Sequence, residues 1–256
     1  MHGTLINLNW RFAVLTVVLF GAAIGLNHLA GLGRAREIFI AGTRAIFQLA
    51  AISLIIVWVL REWWSTIAFL ILMMVVAAIT SSGRLEGTWK YWHVTLIPVM
   101  CGIIPTVALI LASGAIPLRP IAVLPICGIL IGNAMTSTTL AGKRIMEELE
   151  IRHGEVDAGL SIGLLERDAI QLVAKQASTL ALIPALDQAK TVGLVTLPGA
   201  FIGILLGGGG PLQAGAGQLL VLAGIQLVQT ITTSVTLELA STKKLPTRFE
   251  HRTGPK

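Results

Sequence analysis

Long apolar runs separated by short polar connections dominate the chain. Seven of them, at 12–30, 38–60, 63–80, 94–115, 121–140, 191–209 and 215–237, are predicted to be helices of about 20 residues, enough to cross ~30 Å of hydrocarbon. The runs are continuous and do not alternate, which disfavours a membrane barrel. Composition points the same way. Of 256 residues, 54% are hydrophobic and only 12% charged, with mean hydropathy +0.81, whereas a soluble globular chain is about a quarter charged. One soluble core could not enclose so many long apolar helices. The same figures exclude a disordered or collagen-like chain and a disulfide-stapled secreted fold. The expected fold is an all-α polytopic membrane protein of about seven transmembrane helices, forming a single transmembrane domain over 1–256.

Charge sets the expected orientation. The net charge is +6, and in a membrane protein such an excess marks cytoplasmic loops. Fifteen of the nineteen Lys and Arg fall in alternate connections and at the C-terminus: Arg34 and Arg36, Arg84 and Lys90, six from Lys143 to Lys190, and five from Lys243 to Lys256. The opposite side holds Arg11, Arg61 and Arg119, and Arg44 lies within the second stretch. The expectation is an external N-terminus and a cytoplasmic C-terminus in the cell inner (plasma) membrane. No basic run precedes the first stretch and no small-residue cleavage site follows it, so it reads as a retained span.

The connection at 141–190 would then be a long cytoplasmic helical loop. It mixes both charges with apolar residues, and its parts read as helices at 143–151, prolonging the fifth stretch, and at 169–186. A solvated loop would need no apolar face, so the mixture predicts a docking surface for a cytoplasmic partner.

No catalytic constellation is visible, and neither an H-E-x-x-H nor a C-x-x-C metal signature occurs. The glycine run Gly207 to Gly210 is followed by Pro211, not Lys-Ser/Thr, and the Gly142-Lys143 pair is followed by Arg144. Neither is a P-loop. What remains is polar chemistry inside apolar helices, which is costly and marks candidate function. Arg44 and Gln48 share a face of the second stretch; Arg44 either snorkels to lipid phosphates or meets another span or the cargo. Asn133, Thr136 and the hydroxyls that follow suit either close helix packing or a pathway. Gln226, Gln229, Thr230 and Thr233 share one face of the seventh stretch and suit a pathway or a subunit contact. Met100, Cys101, Cys127 and Met135 are soft-metal donors by chemistry and also ordinary apolar fillers. Pro98, Gly102, Pro105 and Pro125 invite helix kinks.

Four segments in order resemble one family: R-x-x-x-Q-L at 44–49, GILIGNAM at 128–135, EVDAGLSIG at 155–163, and TVGLVTLPG at 191–199 with Gly210-Pro211 beyond it. Together they resemble the FetB-type iron export permease family, which includes plant aluminium-tolerance relatives. The resemblance implies a membrane subunit of an ABC exporter, not itself an enzyme. It would work as a permease homodimer with a separate ATPase subunit that holds ATP and Mg. It further implies a coupling element within 155–175, where Glu155, Asp157, Gly163, Glu166, Arg167 and Asp168 are the candidates. A stand-alone gradient-driven transporter or channel is the alternative, but such proteins usually bury a carboxylate or histidine mid-span, and none sits there.

Overall fold

The computed structural model describes residues 9–242 and Leu245; the basic run from Lys243 to Lys256 and the first eight residues lie otherwise outside the described residues. Within them the secondary structure is helical, with seven helical elements long and apolar enough to cross a membrane. The chain divides into two compact units, Met1–Arg61 and Glu62–Lys256.

The first unit is a helical hairpin of α1 (Trp10–Leu29) and α2 (Ala35–Val59). Asn9 caps α1, its Oδ1 accepting from the Phe12 N–H at 3.2 Å. The turn uses Gly31 and Gly33 at φ 65° and 71°, conformations that favour glycine, and the Arg34 N–H donates to Asn27 Oδ1 at 2.9 Å. The Phe20 ring lies against Gly42, where an added Cβ would come within 2.8 Å of it. None of α1 is buried, as expected for a helix that is apolar all round and faces lipid.

The second unit holds α3 (Trp63–Glu86), α4 (Trp92–Ala112), α5 (Pro120–Ile151), α6 (His153–Ser161), α7 (Glu166–Thr179), a single 3₁₀ turn at Leu180–Leu182, α8 (Ile183–Thr191), α9 (Gly199–Leu206) and α10 (Pro211–Ser241). Its main core lies among α3, α4, α5 and α10 around Val99, Ile103, Leu130, Ala134, Ile225 and Val228. A second core at one end joins the tails of α5 and α10 to α6 and α7 through Ile145, Leu149, Val156, Ile170, Val173 and Leu239. At ~1.5 Å per residue the 32 residues of α5 run about 48 Å, well beyond a ~30 Å hydrocarbon layer. The expected extension over 143–151 is therefore present.

The sixth membrane-length element is not where the sequence pattern puts it. Between 191 and 209 the only helix is α9, eight residues and about 12 Å long. Gly193 and Gly208 adopt φ 81° and 89°, and Pro198 is extended, so no continuous helix forms there. The element that qualifies is Glu166–Thr191, comprising α7, the 3₁₀ turn and α8. It buries a stripe of mostly small residues, including Ala169, Ala174, Ala177, Ala181 and Ala185, and leaves Lys175, Asp187 and Lys190 exposed. Charges on the outer face lowered its apparent hydropathy and made it read as loop. The expected 50-residue loop at 141–190 shrinks to α6 and its flanking turns, between Ile151 and Glu166.

Pro98 and Pro105 both sit within α4. Gly102 serves close packing, since a Cβ there would lie 2.7 Å from Thr232 Cγ2 and 3.1 Å from the Val228 carbonyl oxygen.

Candidate functional site: a polar seam between two parallel helices

Both α5 and α10 begin with a proline at the first turn, where its missing N–H costs nothing. They run parallel at nearly constant register. Asn133 meets Gln229, Ser137 meets Thr232, and Gly224 packs under Leu130. This register brings together two polar patches that are 96 residues apart in sequence.

The seam is built from amides and hydroxyls. Gln229 Nε2 donates to Asn133 Oδ1 at 2.9 Å, and Asn133 Nδ2 donates to the Ile129 carbonyl at 2.9 Å. One turn further on, Ser137 Oγ and Thr232 Oγ1 share a 2.5 Å hydrogen bond. Thr139 Oγ1 donates to the Met135 carbonyl at 2.9 Å and lies 3.3 Å from Ser81 Oγ, which brings in α3. Four buried oxygens on these helices have no hydrogen-bond partner: Thr138 Oγ1, Gln218 Oε1, Gln229 Oε1 and Thr233 Oγ1. Leaving such a group unpaired costs about 1–3 kcal/mol, so this seam carries polarity beyond what holding the helices together requires.

The sequence-predicted residues divide by location. Asn133 and Gln229 are joined directly, and Thr233 is buried one turn below Gln229. Gln226 and Thr136 are half-buried and Thr230 is exposed, with the two hydroxyls bonded back to the carbonyls of Gln226 and Gly132. Arg44 and Gln48 lie exposed on α2, in the first unit. Met100 and Cys101 are exposed, Cys127 is buried and Met135 is half-buried. Among the described residues no three His, Cys, Asp or Glu side chains are grouped to hold a metal ion. The residues missed from sequence are Gln218 and Thr232, the partner of Ser137. Gln218 precedes Gln229 by three helical turns and so shares its face, a spacing already present within the helix expected over 215–237.

The candidate coupling residues gather at the end of the unit where α5 and α10 finish. Gly163, at φ 91°, turns the chain from α6 into α7, and Gly159 lets α6 approach Ala169 closely. Arg152 holds Glu155 (Nε to Oε1 2.7 Å) and Glu148 (3.1 Å). Hydrogen bonding to Arg152 keeps the Glu155 carboxyl below the usual carboxylate range. Asp157 is exposed on α6. Arg167 makes a forked pair with Glu238 on α10 at 2.7 and 2.8 Å, and Gln171 donates to the same carboxylate at 2.8 Å. Asp168 lies 3.6 Å from the Arg167 guanidinium, and Glu166 is exposed in the first turn of α7. Ile162 and Leu165 project from this corner, 81% and 72% exposed.

The family described as "Uncharacterised protein family (UPF0014)" matches residues 10–245. The chain is 31% identical to the Protein ALUMINUM SENSITIVE 3 of Arabidopsis thaliana, over 87% of this chain and 82% of that one. It is 30% identical to the UPF0014 membrane protein STAR2 of Oryza sativa subsp. japonica, over 86% and 78%. It is 26% identical to the Probable iron export permease protein FetB of Escherichia coli (strain K12), over 95% of each. No solved structure matches it. With its seven membrane-length helices and this near end-to-end similarity, the chain belongs to the UPF0014 family of multi-pass membrane proteins, which includes the FetB permease and the plant aluminium-sensitivity proteins.

Proposed function

We propose that this chain is the membrane-spanning permease subunit of an ABC-type exporter, moving an iron-like metal ion or its complex out of the cytoplasm. ATP and Mg belong to a separate ATPase subunit, and two copies of the permease form the working unit. The observation that carries this reading is the seam between α5 and α10. It is an uncharged line of amide and hydroxyl groups, some unpartnered, inside helices that otherwise bury apolar side chains. In hydrocarbon such groups are favoured only where they meet another polar surface. The half-exposed flank formed by Thr136, Gln226 and Thr230 would be completed by the second copy. Neutral oxygen donors suit a hard, hydrated or oxygen-liganded metal species, and the name of the FetB relative supports iron as the cargo.

The orientation proposed from charge survives the shift of the sixth element. Thirteen Lys and Arg remain on the side of α6, four (Arg11, Arg61, Arg119 and Lys190) lie on the other, and Arg44 and Lys175 lie within spans. The N-terminus is then external, and the corner formed by α6, Gly163 and the start of α7 faces the cytoplasm of the cell membrane. Its exposed Ile162 and Leu165, ringed by Glu155, Asp157, Glu166 and Asp168, offer an apolar centre with a charged rim for the ATPase.

The test is gentle affinity purification of the tagged protein from native membranes, then reconstitution of the purified complex into liposomes. The expected result is a stoichiometric Walker-motif ATPase and metal efflux that requires ATP. Transport by the chain alone without ATP would overturn the reading and favour the gradient-driven alternative.

A further inference from the structure

The segment from 192 to 210 has no role in the proposed function, yet it is the most apolar connection in the molecule. From Thr191 to Leu237 no residue carries a charge. The antiparallel elements it links, Glu166–Thr191 and α10, share the Arg167–Glu238 end, so the segment joins them at the opposite end. A connection in water would present polar side chains and hydrate its backbone. This one presents aliphatic side chains instead. Leu194, Val195 and Leu197 are 90%, 78% and 60% exposed. The N–H groups of residues 192–196 are satisfied by the chain itself. Val192 donates to Gln188 O at 3.1 Å and Gly193 to Thr196 O at 2.9 Å, and Leu194, Val195 and Thr196 all donate to Thr191 O at 2.9–3.3 Å. After α9, Gly207, Gly208 and Gly209 donate to carbonyls within the helix, and Gly210 N–H donates to Gln213 Oε1. Outward aliphatic side chains over a turn whose N–H groups bond within the chain at 192–196 suit hydrocarbon better than water.

The packing of α9 gives its position along α10. Ile204 lies against Gly217, where a Cβ would come within 2.5 Å of its Cδ1, and Ala200 packs against the main core. Gly217 is six residues into α10, about 9 Å along its axis. The segment therefore returns alongside the first turns of α10. It does not lie across the end of the bundle.

We infer that residues 192–210 form a re-entrant insert whose Leu194, Val195 and Leu197 lie among the acyl chains of one leaflet, with α9 as its returning limb. The inference is independent of the cargo and of any ATPase.

The experiment places a single cysteine at Val195 (Val195→Cys, with Cys101 and Cys127 replaced by Ala), carrying an environment-sensitive fluorophore in phospholipid vesicles. The expected result is loss of most of the emission to a nitroxide carried high on the lipid acyl chain, and little loss to aqueous iodide. Strong quenching by iodide would overturn the insert. So would protection from both quenchers, which would mean that protein covers the segment. A second measurement needs no substitution: the native protein in vesicles containing a phospholipid with a photoactivatable acyl chain should form adducts within the peptide 192–198 and also at the exposed Ile104 and Leu109 of α4. Adducts on α4 with none at 192–198 would overturn the inference equally.

Discussion

Helix α10 makes two polar attachments of opposite kind, and the contrast shows how a membrane chain distributes polarity. Midway along the helix, Gln229 and Thr232 reach Asn133 and Ser137 through neutral hydrogen bonds, buried among Val228, Ile225 and Leu130. At its end, Glu238 takes a forked, charged pair from Arg167 and a third bond from Gln171, with both charged side chains about half exposed. A charge at mid-depth would cost several kcal/mol, whereas an amide or hydroxyl that finds a partner costs little. The helix therefore uses neutral groups where water is absent and ions where its end meets water. The neutral contact sets register in hydrocarbon, and the ionic one ties α7, and with it the α6–α7 corner, to the helix that carries the seam.

The contrast can be broken from the neutral side first. Gln229→Leu leaves Asn133 Oδ1 without its donor and should destabilise the protein by about 1 kcal/mol. Adding Asn133→Leu should recover part of that loss, because both partners are then apolar. Thermal unfolding in detergent measures both, and transport should stay impaired in the double variant even where stability returns. Recovery of both would show that the amides only pack.

The ionic side should give a smaller stability effect, since a solvent-exposed pair contributes little. Arg167→Glu should lose it, and the swap of Arg167→Glu with Glu238→Arg should restore it. Both differences should shrink in salt well above 0.1 M, where the Debye length falls below about 10 Å, while the Gln229 effect should not change. Equal salt sensitivity at the two sites would remove the distinction drawn here.

The smallest effect concerns Glu155. Its carboxyl is held below the ordinary carboxylate range by Arg152, so its contribution is present above the ordinary value and is lost as the pH falls through the lowered one. Hydrogen exchange of α6 should therefore accelerate as the pH drops below that range, after correction for the intrinsic pH dependence of exchange. Glu155→Gln should already show the faster exchange at neutral pH and respond less to acid.

Much of this was legible along the chain. The continuous apolar runs identify α1 to α5 and α10, because a helix facing lipid must be apolar on every side and needs no partner to reveal itself. The amides at 133 and 229 stand out for the same reason. The sixth element was not legible. The run at 191–209 has the hydropathy of a span but carries the glycines and the proline that stop a helix, and α7 with α8 has the length of one but shows its charges. Gln218 and Thr232 were passed over too, since a hydroxyl and a lone glutamine bond locally in many settings.

What the sequence determines by itself is the solvent of the uniformly apolar segments, because transfer between water and hydrocarbon is a property of the residue. It therefore specifies the membrane class and where the positive charges gather along the chain. Which helices touch is decided only by tertiary structure. The parallel register of α5 and α10 depends on Gly224 admitting Leu130, and the approach of α4 to α10 on Gly102 admitting Thr232, and such close approach is a property of two surfaces together. That register makes a seam of two separate patches, and packing against the α5 and α10 cores turns a charged stretch into the sixth membrane-length element.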